Sequence, residues 1–211
     1  MKTIVLASQK GGSGKTTLAA HLAVMAERAG DGPSILIDTD PQASLAAWWN
    51  CRAAEAPAFA ITSLEELSGK LEALAQAKFR YAFIDTPPAI TEAIRTVVAL
   101  ADFVLIPTRP SPHDLRAVGS TVELVAGFVR PFAFALTQAK ANSRLTPQAM
   151  GALSEHGVVA SSIIHDRVDF ASSMVDGRTV MEIDPRGRAT SEIEELWRFC
   201  KKRMNEKTKK R

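Results

Sequence analysis

Five runs of this chain are apolar or β-branched almost without interruption, and each leads into a stretch of helical pattern. They are Thr3-Ile4-Val5-Leu6-Ala7, Ser34-Ile35-Leu36-Ile37, Tyr81-Ala82-Phe83-Ile84, Phe103-Val104-Leu105-Ile106 and Phe132-Ala133-Phe134-Ala135-Leu136. A strand with one wet face alternates apolar and polar residues, whereas a continuous run marks a strand covered on both faces. Phe59-Ala60-Ile61 and Val158-Val159-Ala160 are weaker strand candidates. Helices are predicted over 15–29, closed by Gly30, and over 42–54, 63–77, 91–101, 113–129, 146–155 and 188–204. Strands and helices in this alternation predict an α/β fold: a mostly parallel, twisted β-sheet with helices on both faces. No repeat, low-complexity segment or long linker interrupts it, so residues 1–204 are expected to form a single domain and 205–211 a basic tail.

Sheets of this kind bind their ligands outside the carboxyl ends of the strands. The first strand delivers Lys10-Gly11-Gly12-Ser13-Gly14-Lys15-Thr16-Thr17 to that rim, and the second delivers Asp38-Thr39-Asp40-Pro41-Gln42. The third brings Asp85-Thr86-Pro87-Pro88 and the fourth Pro107-Thr108-Arg109-Pro110. Glycines after a strand let the backbone curl so that successive N–H groups face phosphate oxygens, and the following helix adds its positive end. Residues Gly11 to Thr17 therefore read as a phosphate-binding loop, with Lys15 as the cation at the β- and γ-phosphates and the Thr16 hydroxyl as a Mg²⁺ ligand.

Asp85, after four mostly apolar residues, is the carboxylate expected to hold Mg²⁺, chiefly through water. Asp38 and Asp40 close a buried strand, where a carboxylate is costly unless a cation or hydrogen bonds compensate it. Asp40 also suits a helix cap, with Pro41 at the first helical position. Capping and catalysis are not exclusive.

The loop departs from its usual form, in which glycine stands where this chain has Gln9, followed by Lys10. With that departure, the segments KGGSGKTT, IDTDPQASL and FIDTPP together resemble the ParA-type partition ATPases of the MinD/ParA group, the deviant class of P-loop NTPases. A looser likeness extends over 164–182. The resemblance implies ATP and Mg²⁺ as ligands and a homodimer with ATP sandwiched at its interface. It implies that Lys10 reaches across the dimer to phosphate held by the other subunit, that Asp40 positions the attacking water, and that Asp38 lies near the Mg²⁺ hydration shell. Thr86-Pro87-Pro88 would open a segment that senses the γ-phosphate. Slow hydrolysis is expected, because no arginine is evidently positioned for catalysis; Arg109, Arg116 and Arg167 are the candidates, each more often a surface residue. For the adenine pocket the sequence offers only Gln138 and 164–170.

The net charge of +3 is unevenly placed. Residues 201–211 hold seven Lys/Arg and one Glu, a contribution of +6, which leaves −3 on the remainder. Ile193, Leu196, Trp197, Cys200 and Met204 share one helical face just before this basic end. Three readings compete: a terminal helix packed on the domain, a surface for non-specific DNA phosphate binding, and a membrane-targeting helix like that of MinD. The last is disfavoured because Asn205 to Arg211 carry no apolar side chain. No helix-turn-helix region precedes the strand at Thr3, so DNA recognition is expected to be non-specific, with cargo chosen by a ParB-like adaptor that stimulates hydrolysis.

The apolar runs are all too short to span a membrane or form a secretion signal, which makes the cytoplasm, in association with the nucleoid, the expected location. Cys51 and Cys200 form no metal-binding or disulfide pattern, and the four histidines are scattered. A redox enzyme on the same scaffold, similar to the nitrogenase iron protein, would need paired cysteines near the switch segments. This chain lacks them.

Overall fold

The computed structural model describes residues 1–88 and 92–208, with the side chains of residues 207 and 208 excepted. Six strands form one sheet: β1 (Lys2–Leu6), β2 (Ser34–Asp38), β3 (Ala58–Ala60), β4 (Tyr81–Asp85), β5 (Phe103–Thr108) and β6 (Phe132–Leu136). Their order is β3-β2-β4-β1-β5-β6, and every pairing is parallel. The weak candidate at 59–61 is thus the edge strand β3, while Val159 makes a single parallel bridge to Phe134.

Alternation along each strand explains the continuous apolar runs. Ile4, Leu6, Leu36, Phe83 and Leu105 enter one core cluster. Val5, Ile35, Ile37, Ile84 and Ile106 enter the other, on the opposite face. The first layer is covered by α1 (Lys15–Arg28), α2 (Ser44–Asn50), the short α7 (Val168–Ser173) and α8 (Val180–Ile183), and α9 (Arg188–Thr208). The second carries α3 (Leu67–Gln76), α4 (Glu92–Ala99), α5 (Pro112–Gly127) and α6 (Leu145–Ser154).

Two connections, β1 to β2 and β2 to β3, run toward the β3 edge over the first face, whereas those from β4 to β5 and β5 to β6 run the other way over the second. The loop after β1 therefore diverges from the loops after its neighbours β4 and β5. That divergence opens the crevice where ligands of such sheets bind.

The predicted α9 ended at residue 204, and the helix continues to Thr208, so the expected tail begins as helix. Its apolar face is fully used: Ile193, Leu196, Trp197, Cys200 and Met204 are all buried in the first core. The Trp197 indole N–H donates to Asp31 at 2.8 Å, and Lys201 Nζ meets the same carboxylate at 2.6 Å. The face that a membrane-targeting helix would offer to lipid is packed inside the protein. Among the described residues no helix is long and apolar enough to cross a membrane.

Candidate functional site

The loop between β1 and α1 turns back on itself through Gly12 and Gly14, with φ of +70° and +96°. These are left-handed conformations that a side chain resists, so glycine is required at both. The loop is tied from β6's side. Thr137 Oγ1 donates to the Ser13 carbonyl at 2.8 Å, and Gln138 Nε2 donates to that of Gly12 at 2.6 Å. With carbonyls held from outside, the loop's N–H groups and the amino end of α1 are left for a bound anion.

Lys15 opens α1 and is 6 % exposed, its ammonium donating to the Lys10 carbonyl at 3.4 Å. Burial lowers its pKa, while Asp85 and Asp40 pull the other way. Thr16 Oγ1 donates to Asp85 Oδ2 at 2.5 Å. Asp85 is 1 % exposed, and burial pushes its pKa up to about 7, with Asp38 and Asp40 adding repulsion against the Thr16 hydrogen bond and the Lys15 charge. A buried carboxyl among two further aspartates is a site short of positive charge. Its donors are all oxygen, the set that Mg²⁺ takes when waters and phosphates complete its shell, so the residues present fit that ion.

Asp38 and Asp85 stand side by side in the β2–β4 register. Asp38, however, is also a cap. Its Oδ2 accepts from the N–H groups of Leu45 and Ala46, both at 3.0 Å, and its Oδ1 accepts from Asp40 N–H at 3.0 Å. Ala43 occupies the N-cap position of α2 and offers no side-chain oxygen, so Asp38 serves the helix from across the turn. The expected cap at Asp40, with Pro41 as first helical residue, is corrected: α2 starts at Ser44, and Asp40 Oδ1 closes a local turn onto Gln42 N–H at 3.0 Å. Asp40 Oδ2 accepts no hydrogen bond among the described residues.

Lys10 begins the loop, half-buried, and its ammonium has no partner among the described residues. Arg109 lies beside Gly12 of the same loop, held by Asp114. Arg116 is exposed, and Arg167 is held by Glu192 through Nε at 3.0 Å and Nη2 at 2.7 Å. Pro87 and Pro88 follow Asp85, and the rest of the expected switch, 89–91, lies outside the described residues.

A pocket of about 190 Å³ adjoins the loop, walled by Gly14, Thr17, Thr137, Gln138, Ile164 and Phe170. It brings Gln138 and the 164–170 segment, far apart in sequence, to one cavity beside the phosphate loop. Sequence reasoning missed the residue behind it. His21 is fully buried, its Nδ1 2.8 Å from the Thr17 carbonyl and its Nε2 3.2 Å from Val180 N–H, with the ring edge-on to Phe170. The only available signal was a polar residue four positions after Thr17 in an otherwise alanine- and leucine-rich helix.

These partners require the neutral ring, with the proton on Nδ1, and burial depresses the His21 pKa to about 4. The unfolded chain therefore binds a proton through the window from about 6.5 to 4 that the folded protein refuses, and stability falls as pH falls through it. The loss approaches about 3 kcal/mol at the acid end, and about 2 kcal/mol is already expected at pH 5. Urea unfolding at pH 7.5 and 5 should show this drop in the wild type. The drop should shrink by about 2 kcal/mol in His21→Gln, which keeps an acceptor but cannot titrate.

Comparison with known proteins agrees with this geometry. Residues 4–180 match the CbiA family, described as the CobQ/CobB/MinD/ParA nucleotide binding domain. The maintenance of carboxysome distribution protein A of Halothiobacillus neapolitanus is 31% identical over 205 residues, covering 92% of this chain and 94% of that protein. Among solved structures, the ATP complex of a Cyanothece McdA variant superposes with a TM-score of 0.74 at 19% identity, covering 97% of this chain and 96% of that one. A chain of the MinC:MinD cell division protein complex of Aquifex aeolicus gives 0.77 at 19% identity, with 95% of this chain and 96% of that one covered. The P-loop NTPase-like α/β fold, the curled loop and the full-length relative agree, and the chain belongs to the CobQ/CobB/MinD/ParA family of nucleotide-binding proteins.

Proposed function

We propose that this protein is an ATP-dependent dimerising switch that positions a cargo, with slow ATP hydrolysis as its timer. The observation that carries the reading is the contrast between two lysines of one loop. Lys15 is buried and its ammonium donates within the loop, while Lys10 is half-buried and its ammonium has no partner among the described residues. A cation so placed suits phosphate on a second subunit, which makes two nucleotides part of a homodimer interface.

In this reading Gly11, Gly12, Ser13 and Gly14 cradle the phosphates with their N–H groups, and Lys15, Thr16 and Thr17 complete the cradle from α1. Thr16 and Asp85 would hold Mg²⁺, with Asp38 next to Asp85, and the ion when bound would neutralise phosphate charge. Asp40 orients the attacking water with its free oxygen. The base enters the pocket walled by Gln138, Ile164 and Phe170.

The closed dimer binds DNA non-specifically through phosphates, and a ParB-like adaptor stimulates hydrolysis and releases it. The cargo is a plasmid, a chromosome region or a protein cluster, and the carboxysome distribution relative makes a protein body the first to test. On this reading the protein works in the cytoplasm on the nucleoid. The excess of Lys/Arg in 201–211 supports the DNA reading.

Binding to unrelated duplex DNA, measured with ATP, ADP or no nucleotide, tests the switch. Wild type should bind about tenfold or more tightly with ATP than in the other states, and Lys10→Ala should lose that difference. Equal binding by wild type in all three states would remove the proposal.

A further inference from the structure

We propose that Arg109 is a further phosphate-contacting residue, a planar cation delivered by β5 beside Gly12 of the phosphate loop and oriented there by the buried carboxylate of Asp114. The inference rests on the nucleotide reading above and assigns to this chain a contact that Lys10 and Lys15 do not supply.

Three observations place it. First, Arg109 directly follows β5, so it leaves the sheet on the rim where the loop lies, and its Nη1 is 3.7 Å from where a side chain on Gly12 would begin. Second, its orientation is built. Arg109 Nε donates to Asp114 Oδ1 at 3.0 Å, and Asp114 is only 3 % exposed. Asp114 Oδ2 accepts from Ser111 Oγ at 2.5 Å, while Asp114 N–H donates to that same oxygen at 3.2 Å, which fixes the carboxylate on the first turn of α5. Third, this grip uses Nε alone. Neither Nη1 nor Nη2 has a hydrogen-bond partner among the described residues, so the end of the guanidinium that faces the loop keeps its donors free.

A solvent-seeking arginine does not need a buried carboxylate to aim it, and an arginine that merely props the loop would donate to a loop carbonyl. Arg109 does neither: the Gly12 carbonyl is taken by Gln138 from β6's side. A guanidinium with its Nη donors free presents the fork that matches phosphate oxygens in pairs, which an ammonium cannot reproduce. Lys10 and Asp114 line the same small cavity next to the loop, so the carboxylate that orients Arg109 sits beside Lys10.

The test uses the full chain with Mg²⁺ and compares wild type, Arg109→Gln, Arg109→Lys and Asp114→Asn. ADP affinity, affinity for ADP with aluminium fluoride as a transferring-phosphate analogue, and single-turnover ATP hydrolysis are measured. In Arg109→Gln, ADP affinity should stay within about twofold while turnover falls about 100-fold, with a parallel loss for the fluoride complex. Arg109→Lys should recover little of this, and Asp114→Asn should fall in the same direction by less. Unchanged turnover and fluoride affinity in Arg109→Gln would overturn the assignment. So would an ADP affinity that falls by the same factor as the fluoride complex, because the arginine would then be shaping the loop. A wild type that neither binds nor hydrolyses ATP would instead remove the nucleotide reading beneath it.

Discussion

Lys15→Ala is expected to abolish useful nucleotide binding while leaving the fold intact. Lys15 is the cation buried in the phosphate loop, close enough to Asp85 and Asp40 for both to raise its pKa against the effect of burial. In the free protein it partly offsets those carboxylates, and in the complex it is expected to meet the phosphates. Removing one partner of a buried, hydrogen-bonded charge pair costs about 2–5 kcal/mol, or roughly one and a half to three and a half decades in affinity. Titration of ADP and ATP into wild type and variant measures the loss. The fold should survive because the loop's other ties, Thr137 to Ser13 and Gln138 to Gly12, do not involve Lys15. Wild-type affinity in the variant would show that phosphate is not bound here.

The main strands and the site rim were legible because each is encoded locally. A run such as Phe103-Val104-Leu105-Ile106 is apolar at every position because successive side chains enter opposite cores, and both cores are closed by helices. The same logic makes the residues after each strand converge. Asp38 and Asp85 become register neighbours merely because their strands are of equal reach and pair in parallel.

What was not legible depends on side-chain partners that periodicity does not encode, whether near in sequence or far. The predicted helix over 42–54 shrinks to Ser44–Asn50 because Asp40 closes a turn instead of a cap and the cap comes from Asp38. The short helices α7 and α8 have too few residues to show a period, and remote groups hold them. The His21 ring packs edge-on against Phe170 of α7, Arg52 binds Glu182 and the Gly177 carbonyl, Trp48 Nε1 donates to the Arg178 carbonyl, and His21 Nε2 accepts from Val180 N–H. For the same reason Arg109 could be named as one arginine among three but not preferred. Its distinction lies in a buried aspartate five residues on and in a glycine of another loop.

Asp40→Ala should separate binding from turnover. The variant is expected to bind ATP and dimerise as wild type does, while hydrolysis falls by about 10²–10⁴, the range associated with a positioned acid or base. Two features make the outcome interpretable. The helix next to Asp40 is capped by Asp38, so the only side-chain hydrogen bond lost is the one onto Gln42 N–H; with the repulsion on Asp85 also relieved, stability should change by about 1 kcal/mol or less. Asp38→Ala supplies the contrast: it uncaps α2 at Leu45 and Ala46 and should cost about 1–2 kcal/mol in urea unfolding whatever it does to turnover. Single-turnover hydrolysis, with dimerisation followed by light scattering, distinguishes the roles. Normal hydrolysis in Asp40→Ala would take the water-positioning role from this residue. Lost dimerisation would instead place Asp40 in the closure of the two subunits, upstream of the chemistry.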